Sequence, residues 1–133
     1  PMRAGDMIRA LAAFRELDEI ADELSTFWQA GTTSFSLPDL QFTLIEGDAR
    51  RTLPKWAGLA DAWFLDGFSP AENPGLWEVS LMAEVGAHTA ASGTVATYTA
   101  AGFVRRGLSV AGFEVTRISG FGRKRHMTIG RMG

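Results

Sequence analysis

Short apolar runs alternating with helical stretches predict an α/β fold built on a layered, mostly parallel sheet. Three observations carry that expectation. Residues 42–46, 62–65, 94–99 and 113–118 are strand candidates, rich in apolar, β-branched or aromatic side chains. Helical spacing of apolar residues appears between the second and third of these, and again between the third and fourth. Two of the strands also end in acid–glycine pairs, Glu46-Gly47-Asp48 and Asp66-Gly67. In open α/β sheets the carboxyl ends of strands line the ligand crevice. Ordinary turns use the same two residue types, so both readings of the pairs stand at this point.

Taken in order, residues 6–28 read as helix. Asp6 serves as N-cap, and Met7, Leu11, Phe14, then Leu17, Ile20, Ala21 and Leu24 follow at spacings of three and four. A break near residues 14–17 splits it in two. Residues 31–39 carry turn formers without a period and read as loop. Trp63 and Phe64, inside an apolar strand, are expected in the core. Asn73 as N-cap and Pro74 at the first helical position open a helix that continues through Leu81, Met82 and Val85. Residues 101–111 form a second crossover helix, with Gly112 where a C-cap glycine belongs. Residues 126–130 are a final strand.

The chain has 133 residues, one ordinary domain, with 46% apolar and 21% charged residues, as a soluble globular protein carries. It contains no Cys, which excludes disulfides, zinc–thiolate sites, iron–sulfur clusters and cysteine nucleophiles. No apolar run approaches the roughly 18–20 residues of a membrane span. Arg9 and Arg15 interrupt the first apolar stretch, so it does not read as a signal peptide, and a cytoplasmic location is expected. His88 and His126 lack partners at metal-ligand spacing; both are expected to be surface residues, and no metal is expected. The net charge of −2 conceals a division: six Lys/Arg face fourteen Asp/Glu up to residue 99, and seven face Glu114 alone after it. That is either one basic surface for a polyanion or a solvated basic tail.

Three blocks resemble a known family. They are Asp61-Ala-Trp-Phe-Leu-Asp66-Gly-Phe68-Ser-Pro70-Ala-Glu-Asn73-Pro74-Gly-Leu-Trp77, Thr94-Val-Ala-Thr-Tyr98-Thr-Ala-Ala-Gly102-Phe103-Val-Arg105-Arg106-Gly-Leu108, and Gly120-Phe121-Gly122-Arg123-Lys124-Arg125. In this order and spacing they resemble the methyltransferase domain of MnmC-type tRNA-modifying enzymes. The resemblance runs from residue 1 to about residue 129 and is most specific after Asp61. It implies transfer of a methyl group from S-adenosyl-L-methionine to the aminomethyl group of 5-aminomethyl-2-thiouridine at the tRNA wobble position. It also implies a fused or separate flavin-dependent oxidase domain as partner.

The family domain should open with a strand, a glycine-rich turn and a second strand ending in an acid. Here no Gly-x-Gly precedes a helix, and Gly120-Phe121-Gly122 comes only after the fourth strand. The expected fold is therefore an incomplete Rossmann-like methyltransferase, the C-terminal half to two-thirds of the domain. The first two strands would lie between the strand ending at Asp48 and the one ending at Asp66. Without them two strand edges stay open, and the chain should be marginal or associate with another chain.

The resemblance also implies roles. Asp48 accepts a hydrogen bond from the adenine amino group, Ala49 leaves room for the ring, and Glu46 does the same work if the strand ends earlier. Asp66 is the catalytic residue, positioning the substrate amine and taking its proton. Phe68, with Tyr98, Trp77 and Phe103 nearby, offers an aromatic face to a flipped uridine. Arg105, Arg123, Lys124 and Arg125 contact tRNA phosphates; Arg105 and Arg106 are adjacent on a helix, so only one of them faces the ligand. Two other readings stay open: a non-catalytic RNA-binding module, and another α/β nucleotide-binding enzyme such as an oxidoreductase. The lack of an early Gly-x-Gly-x-x-Gly argues against the oxidoreductase.

Overall fold

In the computed structural model, which describes residues 3–133, the chain divides between Glu46 and Gly47 into two units. The first begins with α1 (Ala4–Leu11), a 3-10 turn (Arg15–Leu17) and α2 (Asp18–Gln29), so the predicted helix is broken where its periodicity falters. Phe14 breaks it, with a non-helical φ of −123° and ψ of 77°. Asp6 lies inside the first turn of α1 and pairs with Arg9; Arg3 occupies the cap position.

Residues 31–39 are not all loop. Strands β1 (Ser34–Leu37) and β2 (Leu40–Thr43) form an antiparallel hairpin around Pro38-Asp39, and the strand expected at 42–46 ends at Thr43. Buried Phe35 holds the hairpin to α2, its ring stacked 4.2 Å from Phe27 and 4.8 Å from Phe42.

The second unit starts with Asp48 capping α3 (Ala49–Thr52), which runs into a 3-10 turn (Leu53–Lys55). Then follow β3 (Ala60–Phe64), a 3-10 turn (Pro74–Trp77), α4 (Val79–Ala87), β4 (Thr89–Thr97), α5 (Gly102–Val110), β5 (Phe113–Ser119) and β6 (His126–Met132). Asn73 caps nothing with its side chain; the helix proper starts only after Glu78, whose backbone is extended. Gly112 does terminate α5, at a φ of +103° that a side chain would strain.

The sheet order is β3-β4-β6-β5. Its β3–β4 ladder is parallel, and the β4–β6 and β5–β6 ladders are antiparallel, which corrects the expectation of a mostly parallel sheet. The physical reason is the short turn at residues 120–125, which forces β6 antiparallel to β5. Strands β4 and β5 run parallel to each other with β6 between them. The β1–β2 pair is a sheet of its own, and β3 and β5 are edges of the larger one.

Helices α4 and α5 supply the core: Leu81, Met82, Val85, Val104 and Leu108 pack with Trp77, Val95 and Phe113. The helices approach so closely that a Cβ on Gly86 would lie 2.3 Å from the Ala111 carbonyl oxygen. On the sheet's other face, register sets out two rows across all four strands: Ala62, Thr94, Arg131, Glu114 and Phe64, Ala96, Ile129, Thr116. Phe64 on this face is 83% exposed, so it is not the core residue the sequence predicts. An apolar strand run does not say whether both faces are covered.

Candidate active site

The chain leaves the sheet just after Phe64, with one more bond from Leu65 N–H to the Ala96 carbonyl at 2.9 Å. Asp66, Gly67 and Phe68 follow as a loop at the carboxyl end of β3. Two side chains from behind fix it. The Tyr98 hydroxyl donates to the Gly67 carbonyl at 2.5 Å, and the Trp77 indole N–H donates to the Phe68 carbonyl at 2.9 Å. The two rings brace each other edge-on, centroids 6.2 Å apart and planes at 89°. Buried Trp77 is thereby a structural support for the loop, not an exposed stacking face. Tyr98 is half-buried, whereas Phe68 is 73% exposed.

With its backbone clamped, the loop presents Asp66 to solvent, and the carboxylate forms no hydrogen bond or ion pair with any described residue. It lines two cavities. One, of about 370 Å³, is walled by Phe64, Asp66, Tyr98, Phe121, Lys124 and Met127 among others. The second, of about 230 Å³, is apolar, with Ala49, Leu53, Phe64, Leu76 and Trp77 in its wall beside Asp66. Lys124 reaches the first cavity from the β5–β6 turn, its Nζ 5.0 Å from the Tyr98 ring centroid. Arg123 and Arg125 flank it on the same turn without lining the cavity, and half-buried Arg105, whose Nε is buried without a hydrogen-bond partner, lines neither cavity.

Asp48 sits at the N-cap of α3, its Oδ1 accepting the Arg50 backbone N–H at 3.0 Å. The Arg50 guanidinium clasps the same carboxylate, Nε at 3.0 Å from Oδ1 and Nη2 at 2.6 Å from Oδ2. These Arg50 hydrogen bonds, side chain first and then backbone, hold the Asp48 carboxyl at about 2, below its ordinary 3.8. Neighbouring Ala49 opens onto the smaller cavity, whereas Glu46 lies in the first unit and lines a separate cavity there with Trp28 and Leu44. The smaller cavity's apolar walls, with Ala49 among them, offer a flat ring such as adenine van der Waals contact with its faces. A hydrogen bond from that ring to Asp48 has to compete with Arg50. The fit extends to the adenine end of the expected cofactor; no described residues form a glycine-rich cradle for its methionine end.

Sequence reasoning missed Phe64 and Phe121 as cavity residues, although Phe64 is the last residue of β3 and stands only two positions before Asp66. Phe121 is 91% exposed and anchors nothing in the sheet. His88 is not the surface residue expected: half-buried, it donates from Nδ1 to the Glu84 carbonyl at 2.9 Å and stacks on Trp56.

Residues 15–133 match the S-adenosyl-L-methionine-dependent methyltransferase family. The chain is 46% identical over 130 residues to the tRNA 5-methylaminomethyl-2-thiouridine biosynthesis bifunctional protein MnmC of Caulobacter vibrioides, a match covering 94% of this chain and 22% of that protein. Against the protein of the same name from Nitrosospira multiformis it is 45% identical over 135 residues, 98% of this chain and 22% of the relative. The crystal structure of MNMC2 from Aquifex aeolicus superposes with a TM-score of 0.69 at 28% identity, over 81% of this chain and 36% of that one. The chain thus spans about a fifth of the length of these bifunctional relatives and about a third of the solved chain. The α/β architecture agrees with that match: the chain belongs to the S-adenosyl-L-methionine-dependent methyltransferases, in the part of them that resembles the methyltransferase region of MnmC.

Proposed function

We propose that this chain carries the substrate side of a methyltransferase that methylates the aminomethyl group of 5-aminomethyl-2-thiouridine at the tRNA wobble position. One observation carries the reading: the partnerless Asp66 carboxylate, held by a clamped loop at the mouth of an aromatic cavity, beside a turn with three consecutive basic residues. The cofactor supplies an electrophilic methyl group on a sulfonium sulfur. An amine is protonated at neutral pH and has no lone pair with which to attack. Asp66 accepts that proton, directly or through water, and orients the nitrogen. That proton passes on to solvent, so the carboxylate is ionised again and, after transfer, stabilises the positive charge that the methylated nitrogen carries. Alignment of nitrogen with the methyl group supplies the larger part of the acceleration.

Ala49 and the smaller cavity hold the adenine, with Asp48 as its polar neighbour. Phe68 and Tyr98 border the flipped base, and Arg123 and Arg125 meet phosphates. The bifunctional relatives support a further proposal, that this chain works beside a flavin-dependent oxidase domain in the cytoplasm. No described helix is long and apolar enough to cross a membrane.

The test is transfer of labelled methyl groups to undermodified tRNA, by the chain alone and after joining it to the strand and glycine-rich turn of a family member. The expected result is little transfer by the chain alone and clear transfer by the joined form. If the joined form binds tRNA and cofactor yet transfers nothing, this unit is a binding module and the reading is wrong.

A further inference from the structure

Lys124 does something its basic neighbours do not. The turn that carries it is tight: Gly120 N–H donates to the Arg125 carbonyl and Lys124 N–H to the Phe121 carbonyl, both at 3.1 Å. A Cβ on Gly120 would lie 2.2 Å from the Lys124 carbonyl oxygen, so the turn closes only because that position is glycine. Of the turn's residues, Phe121 and Lys124 reach the cavity that Asp66 lines; Arg123 and Arg125 do not. The Lys124 ammonium stands 5.0 Å from the Tyr98 ring centroid, and a cation drawn to an aromatic face stays at the cavity wall. The titratable groups facing this cavity are Asp66, Tyr98 and Lys124.

A cavity with aromatic walls, one carboxylate and one ammonium is complementary to a flat ring bearing a cationic arm and a carbonyl or thiocarbonyl acceptor. Phosphate contacts position a nucleic acid, and contacts to base edges specify it. We propose that Lys124 is a specificity-determining residue that donates a hydrogen bond to the edge of the target base, leaving the phosphates to Arg123 and Arg125. This assignment rests on the tRNA reading above.

The experiment measures binding of the 133-residue chain to two anticodon stem-loops. One has 5-aminomethyl-2-thiouridine at the wobble position, and the other has an abasic residue there. The wild type is expected to prefer the first. Lys124→Gln lowers that preference about tenfold, the share of one charge-assisted hydrogen bond, and leaves the slope of log affinity against log salt unchanged. Lys124→Met, which keeps an aliphatic stem over Tyr98, gives the same loss. Replacing Arg123 and Arg125 by Gln keeps the preference and flattens the slope by just under about one unit per contact. Equal loss on both stem-loops with a flattened slope makes Lys124 a phosphate contact and overturns the proposal. A wild type that does not distinguish the stem-loops overturns the tRNA reading itself, and this assignment with it.

Discussion

Replacing Tyr98 by Phe removes one oxygen and leaves the ring against Trp77 and under Lys124. The lost hydroxyl is the one that donates to the Gly67 carbonyl at 2.5 Å. A neutral hydrogen bond contributes about 1 kcal/mol net, and an acceptor left dry raises the cost to about 2 kcal/mol. Gly67 is half-buried, so water reaches its carbonyl and the lower figure applies. For a unit of this size 1 kcal/mol corresponds to a fall of roughly 4–8 °C in melting temperature. Tyr98→Leu removes the aromatic pair as well and costs about 0.5–1.5 kcal/mol more. Circular-dichroism melts of wild type and both variants give the ranking. Hydrogen exchange at the indoles localises the effect: the Trp77 N–H, bonded to Phe68 of the same loop, should exchange faster in Tyr98→Phe. The Trp63 N–H, bonded to Thr89, is the control and should change less. A Tyr98→Phe protein that melts with the wild type and exchanges its Trp77 indole no faster refutes the clamp.

Other substitutions probe separate contacts. Asp48 has a lowered carboxyl pKa, so its stabilisation is complete above 3.8 and disappears as pH falls towards about 2; urea melts across that window should show a slope that Asp48→Asn lacks. Gly86→Ala forces a Cβ to within 2.3 Å of the Ala111 carbonyl oxygen, separating α4 from α5; a loss of about 1–3 kcal/mol is expected as a lower urea midpoint with unchanged m-value. In a preparation that transfers methyl groups, Asp66→Asn should cut turnover about a hundredfold or more. Cofactor affinity, measured by calorimetry, should hardly move, and a defect confined to cofactor binding would remove Asp66 from the chemistry.

Much of the second unit was legible because its helices and strands repeat their apolar residues with clear periods. The hairpin at β1–β2 was not. Ser34 and Ser36 flank a lone Phe35, and Pro38-Asp39 looks like any loop until Phe27 and Phe42 close over that ring. The place of β6 was equally hidden, since a strand's neighbours are set by long-range pairing that its own residues do not spell out. Within the site, Asp66 stood out through its glycine and its strand end. The clamp did not, because Tyr98 and Trp77 bond to backbone carbonyls, and those contacts leave no mark on the residue types they hold. Asp48 and Arg50 were closer to legible: an acid at a helix start with a guanidinium two residues on is a local pair.

The position of β6 also bears on the order in which the fold can assemble. Synthesis delivers β3, α4, β4, α5 and β5 before β6, yet β4 and β5 have no ladder with each other and meet only through β6. Until His126–Met132 have emerged from the ribosome, β5 lacks any strand partner, and the helices can cover only part of a sheet. Chains truncated before residue 126 should therefore be protease-sensitive at β5, and restoring residues 126–132 should protect it.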